Sequence, residues 1–94
     1  MSETVLRKVT PDEAQLWRAT SRQPSVRSER VEMYVDAMVS GLWDPTLHRL
    51  RPVKFRQGRL RNGNHRCAAV VAFGRPVEMW VMGEPPEVSH VDPV

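Results

Sequence analysis

Cysteine is almost missing from this chain: Cys67 is the only one in 94 residues. A single thiol excludes an internal disulfide and any zinc site built from several cysteines. Long apolar runs are missing too; none approaches the roughly 20 residues of a membrane-spanning helix. The opening Met1-Ser2-Glu3-Thr4 lacks the basic and then apolar pattern of a signal peptide. These absences predict a cytoplasmic protein with no membrane partner. The three histidines, His48, His65 and His90, show no zinc-ligand spacing. Aromatic residues are only 6 % of the chain, yet three of them are Trp. With a hydrophobic fraction of 40 %, they argue for a folded chain rather than a disordered one. A chain of this length buries roughly 60–65 % of its unfolded surface, enough for one core. No internal repeat is visible.

The absence with the most consequence is local. From Pro45 to Val77 there is no Asp or Glu. The same stretch holds eight basic residues: Arg49, Arg51, Lys54, Arg56, Arg59, Arg61, Arg66 and Arg75. The rest of the chain holds the other six basic residues and all eleven acidic ones, a net charge of −5. The middle of the chain is therefore either a solvated basic surface or a face for something anionic.

Element signals are plain in several places. Thr10-Pro11-Asp12-Glu13 predicts a helix start, with Thr10 as cap, Pro11 in the first helical position and Glu13 completing a capping box. Val9 is placed to staple onto Ala14. This helix carries Leu16 and Trp17 and fades near Thr20-Ser21. Arg22-Gln23-Pro24-Ser25-Val26-Arg27 reads as a linker, because the residue before a proline avoids helix. Ser28 is expected to cap a second helix, whose stripe is Val31, Tyr34, Val35, Met38 and Leu42. Gly41 is its expected stop, before a turn at Trp43-Asp44-Pro45-Thr46. A strand is predicted over Val53 to Arg56, a turn at Gln57-Gly58 and a second strand over Arg59-Leu60-Arg61. Asn62-Gly63 reads as a tight turn. Cys67 to Phe73 is a compact apolar helix that stops at Gly74. Val77 to Met82 has the content of a buried strand, and residues 84–94 form a polar, Pro-rich, loose tail.

The Asn62–Arg66 turn carries the chemistry. A strand runs into a Gly-containing turn and then a helix. The first amides of a helix have no partner inside it and carry partial positive charge, so such an end binds phosphate readily. Gly63 lets the backbone approach a ligand closely. His65 and Arg66 are cations in the first turn, where they oppose the helix dipole by several tenths of a kcal/mol. Two of them without a nearby acid suggest an anion, which Arg66 can grip with two parallel bonds. The plainer reading is that Asn62 or Asn64 merely caps the helix while His65 and Arg66 face solvent.

The segment Gly63-Asn64-His65-Arg66-Cys67-Ala68-Ala69 resembles the phosphate-binding motif of the ParB/sulfiredoxin-like superfamily. ParB proteins carry Gly-Glu-Arg-Arg there, and sulfiredoxins Gly-Cys-His-Arg, each followed by a helix. Gln23-Pro24-Ser25-Val26-Arg27 resembles the region preceding the first family helix. Small bacteriophage members share a helix ending Tyr-x-x-x-Met-x-x-Gly-x-Trp, then a strand, then Gly-x-Leu-x-(Asp/Asn)-Gly-x-His-Arg. Those positions are Tyr34, Met38, Gly41, Trp43, Gly58, Leu60, Asn62, Gly63, His65 and Arg66, and the likeness runs from about Gln23 to Met82. It implies a small α+β domain: two N-terminal helices, a small sheet, and a helix launched from the Gly63–Arg66 turn. Residues 1–22 would be an N-terminal helix extension, 23–82 the core and 84–94 the tail of a single domain, 1–94. It implies a phosphate or nucleotide site at Gly63, Asn64, His65 and Arg66, with a nucleoside triphosphate and Mg²⁺ as the candidate cofactor. The cytoplasm would be that of a bacterial host if the chain is phage-encoded.

Two features of the family have no counterpart. The nucleophilic Cys of sulfiredoxins and the acidic residue of ParB proteins both fall at Asn64, so neither sulfinic acid reduction nor the acid-dependent hydrolysis carries over. No helix-turn-helix follows the motif. Cys67 reads as a small core residue. Asp36 and Asp44 lack a paired acid, and a Ser-His-Asp triad has no supporting motif. His48 reads as a surface loop residue, Trp43 and Trp80 as core aromatics, and Trp17 either way.

Three functions stay in view. The first is a non-enzymatic binding module for a nucleotide or nucleic-acid phosphate at Gly63 to Arg66, with Arg56, Arg59 and Arg61 extending the site to nucleic acid. The second is a phage adaptor that binds a host protein through Trp and Arg residues; a large exposed apolar patch is its signature. The third is a nucleotide or phosphodiester hydrolase with His65 as general acid or base, for which no carboxylate cluster is visible to hold Mg²⁺.

Overall fold

The computed structural model describes residues 3–22 and 25–86. The chain runs β1 (Thr4–Val9), α1 (Pro11–Ala19), α2 (Ser28–Val39), a 3₁₀ turn (Pro45–His48), β2 (Val53–Arg56), β3 (Arg59–Asn62), α3 (Asn64–Phe73) and β4 (Val77–Met82). It is an α+β domain with one mixed sheet of four strands in the order β1-β4-β2-β3. β4 is antiparallel to β1 and parallel to β2, and β2 is antiparallel to β3. No helix among the described residues is long and apolar enough to cross a membrane.

The first strand is an addition to the expected elements. In β1 both Val5 and Leu6 are largely exposed and only Val9 is fully buried, so the alternation that marks a half-buried strand is missing. Pairing with β4 makes it a strand, with Val9 opposite Val77 and Val5 opposite Val81. The α1 start is as the sequence predicts: Thr10 accepts from the Glu13 amide, and the Glu13 carboxylate accepts from the Thr10 amide. Val9, Ala14 and Trp17 then belong to the core. Trp17 meets Phe55 of β2 edge to face, ring centres 4.9 Å apart. At the far end of α1 the Thr20 hydroxyl accepts from the Leu60 amide at 2.9 Å, which satisfies one donor on the open edge of the sheet.

Two helix ends differ from expectation. Ser28 does not cap α2; it is the first helical residue, and Arg27 holds the cap position with no side-chain hydrogen bond. The helix ends at Val39, so Leu42 lies beyond the stripe and is exposed. Val31, Tyr34, Val35 and Met38 do pack on the core. At α3, neither Asn62 nor Asn64 caps by its side chain. Asn62 ends β3, and Gly63 is the cap residue, at φ +105°. A Cβ at Gly63 would lie 2.9 Å from Cγ2 of Val53, so both conformation and space call for glycine.

α3 is the middle of the helical layer, with α1 and α2 both packed on it. Its middle is buried all round, from Arg66 to Val70. Cys67, Ala68 and Ala69 are small enough to let two helices approach, and a helix buried on all sides has no solvent face on which to place a charge. Arg66 is carried into that position by the fold. The C-terminal tail is described to Pro86 only, and Glu84 to Pro86 have no regular structure. The rest of the expected tail, His90, and Gln23-Pro24 of the linker lie outside the described residues.

Candidate functional site

A cavity of about 380 Å³ opens at the head of α3. One wall is α2, with Arg30 and Tyr34; another is the 3₁₀ turn and its exit, with Leu47, His48 and Arg51. The floor is Asn62, Gly63, His65 and Arg66. Three arginines and two histidines thus face one space, and among the described residues no Asp or Glu lines it. The N–H groups of His65 and Arg66, in the first turn of α3, have no acceptor inside the helix.

Arg66 is the unusual member. It is 5 % exposed, and no acceptor among the described residues reaches its Nη1. Burial pushes its pKa below the ordinary value; Tyr34 and Cys67 act the other way only when ionised. Burial likewise pushes the Cys67 thiol up to about 12, so this thiol is no anion at neutral pH. A guanidinium titrates far above pH 7 and keeps its charge. The charge is therefore largely buried, and its Nη1 has no partner among the described residues. A buried ion without a partner costs several kcal/mol.

The histidines are held by their neighbours. The Arg27 amide donates to Nε2 of His65 at 3.0 Å, so Nε2 carries no proton and the neutral ring is protonated at Nδ1. Burial, then Arg30, Arg27 and Arg18, lower the His65 pKa. His48 stacks on Trp43 with ring centres 4.7 Å apart and meets Tyr34 edge on. Trp43 is fixed in turn by its indole N–H, which donates to the Glu78 carbonyl at 2.9 Å. Burial and the charge of Arg66 lower the His48 pKa, against an opposing pull from Asp44. The Asp44 carboxylate accepts from the Thr46 amide at 2.9 Å and caps the 3₁₀ turn.

The expected residues are thus distributed as follows. Gly63, His65 and Arg66 come together at the cavity. Arg66 does not face solvent, the plainer reading of the turn; it is buried, in a wall shared with Tyr34 of α2 and His48 of the 3₁₀ turn. Asn64 is not part of the cavity wall; its carboxamide oxygen accepts from Nε of Arg18 at 3.0 Å and ties α3 to α1. Arg56, Arg59 and Arg61 do not extend this cavity. They gather with Arg22 in a separate cleft on the β2–β3 hairpin, because alternate strand residues face away from the helices. Arg30, Tyr34, His48 and Arg51 complete the cavity and were not singled out as site residues from the sequence. Arg51 belongs to the acid-free stretch; nothing in the sequence marks the other three as neighbours of the turn.

A nucleoside triphosphate with Mg²⁺ is the cofactor that the family resemblance implies, and the donor set fits only half of it. Arginines, a helix start and a glycine turn suit phosphate. Mg²⁺ in phosphate sites is ordinarily held by one or two carboxylates, and the wall has none. Among the described residues no group of three or more His, Cys, Asp or Glu side chains gathers to hold a metal.

Fold and cavity together define a small α+β domain with a basic pocket at a helix start. Compared with known proteins, the chain matches no family model, and no curated protein or solved structure is significantly similar to it.

Proposed function

We propose that this protein is a phosphate-binding module that holds a phosphate of a nucleotide or nucleic acid at the head of α3. One observation carries the reading: the buried Arg66 guanidinium borders a cavity with Arg30 and Arg51, and no carboxylate answers it. An anion between these groups supplies the missing partner, and charge-assisted bonds to a guanidinium are about twice as strong as neutral ones. The resemblance of the Gly63–Arg66 turn to the phosphate-binding motif of ParB/sulfiredoxin-like proteins, small phage proteins among them, points the same way. The hairpin cluster of Arg22, Arg56, Arg59 and Arg61 is assigned to nucleic-acid backbone, as a second and more solvated surface.

Calorimetric titration of nucleoside mono-, di- and triphosphates into wild type and Arg66→Met tests the pocket. Binding by wild type and its loss in the variant are expected. No heat from either protein at millimolar ligand removes the nucleotide reading.

A second reading has its own observation. Leu42, Leu47 and Leu50 are 76 %, 77 % and 96 % exposed, which is the kind of surface an adaptor to a host protein uses. Substituting Leu42 and Leu50, which lie outside the cavity wall, by Ser should abolish capture of such a partner while leaving phosphate binding intact. The hydrolytic reading has less support. The Nε2 atom of His65 is already an acceptor for the Arg27 amide, and no carboxylate lines the cavity.

A further inference from the structure

We infer that the cavity takes its phosphate as a metal-free dianion, a terminal phosphomonoester or pyrophosphate group, and that Mg²⁺ competes with binding instead of supporting it. This rests on the phosphate reading above and adds the charge state of the ligand.

Charge and donor type both select this ligand. Arg30, Arg51 and Arg66 bring three positive charges to one cavity of about 380 Å³. The two histidines hold their neutral form more readily than an exposed imidazole does, since burial and arginine charges lower both pKa values. Among the described residues the wall has no carboxylate to share a cation with the ligand. Asp44, which acts on His48, is engaged in capping the 3₁₀ turn. An arriving Mg²⁺ meets only like charge. Bound to the phosphates, it neutralises the same two charges that the arginines would answer. A nucleic-acid diester group brings one negative charge with sugar on both sides. A terminal phosphomonoester brings close to two, with three strong acceptor oxygens. The second better supplies the charge that this cavity lacks, since its most buried member is a guanidinium whose Nη1 has no partner among the described residues.

The Gly63 to Arg66 amide resonances of the full chain report binding in solution. Pyrophosphate is titrated at pH 7.5 with chelator, then with millimolar MgCl₂ at matched ionic strength. Methyl phosphate and dimethyl phosphate, a dianion and a monoanion of similar shape, are titrated in the metal-free buffer. Saturable shifts with pyrophosphate and methyl phosphate are expected without metal. MgCl₂ should weaken pyrophosphate, and dimethyl phosphate should bind roughly tenfold or more weakly than methyl phosphate, the loss of about one charge-assisted bond. Shifts that appear only with MgCl₂, or equal affinity for the two methyl esters, overturn the inference while leaving a phosphate site in place. Absence of shifts with every ligand in both buffers removes the phosphate reading itself and the inference with it.

Discussion

Two clusters of arginine lie on this small domain, and they differ in what surrounds them. On the β2–β3 hairpin, Arg56 and Arg59 are directly opposite each other, with Arg61 and Arg22 in the same cleft. All four are exposed. At the head of α3, Arg66 is almost wholly covered, and Arg30 and Arg51 look onto it across a cavity. Water answers the hairpin charges, so like charges across a strand pair cost only tenths of a kcal/mol to about 1 kcal/mol. Water barely reaches Arg66. Identical chemistry therefore carries different information: a solvated cluster is compatible with many roles, whereas a buried, unanswered charge is a standing cost that a bound anion relieves.

The largest contrast is expected from two glycines, one in each region. Gly58 turns the hairpin at φ +73° with open space where a Cβ would go, while Gly63 turns into α3 at φ +105° against Val53. Gly58→Ala should cost about 1–2 kcal/mol from conformation alone. Gly63→Ala adds displacement of Val53, for about 2–4 kcal/mol together. Urea unfolding of both variants checks this. Equal losses would mean that the tight approach at the cavity floor is not a constraint.

These positions also show what the sequence made legible. The capping box at Thr10, the Gln57-Gly58 turn, the stop at Gly74 and the β4 content are local signals, and the corresponding elements form. β1 was not legible, because Val5 and Leu6 are both exposed and its strand character comes from pairing with Val77 to Met82. The turn of the candidate site was legible from Gly63, His65 and Arg66. Its walls were not: Arg30 and Tyr34 reach it because α2 lies along α3, and His48 because Trp43 holds it by stacking. Spacing along one helix does not reveal which neighbour it meets. The burial of Arg66 has the same origin, since it depends on α2 and the 3₁₀ turn meeting at the head of α3.

A smaller effect separates the clusters by salt. With four phosphate contacts, hairpin binding to duplex DNA should follow a slope of log K against log salt of about −3 to −4. Arg56→Glu with Arg59→Glu should flatten it by about 2 and weaken all sequences alike. Pyrophosphate binding in the cavity, less screened, should change less with salt. Fluorescence anisotropy with a labelled oligonucleotide measures the first. If no binding appears at about 50 mM salt, the hairpin is solvated surface or a site for an acidic protein.

The smallest effect is expected from His65. Its pKa is lowered in the fold, chiefly by burial and then by Arg30, Arg27 and Arg18. The unfolded chain therefore takes up the proton first as pH falls. The stability held by the neutral ring is complete above about pH 6.5, the ordinary histidine value, and is lost as pH drops through the lower folded value. His65→Gln, which can still accept from the Arg27 amide, should lose less thermal stability than wild type between pH 7.5 and 5.5. Parallel losses would assign the pH response to other groups, His48 first among them.

The most direct test of the central claim is thermal unfolding of wild type and Arg66→Met, each with and without pyrophosphate in metal-free buffer. Met keeps the length and apolar body of the side chain and removes the charge. Without ligand the variant should unfold at an equal or higher temperature, because replacing a buried uncompensated ion by an apolar group is neutral or stabilising. Pyrophosphate at about a hundred times its Kd should stabilise wild type by roughly 2.7 kcal/mol, of order ten degrees for a domain of this size, and leave the variant unmoved. A variant that unfolds well below wild type, yet gains as much from pyrophosphate, would contradict the account: Arg66 would then be a structural residue, and the anion, if bound, would sit elsewhere.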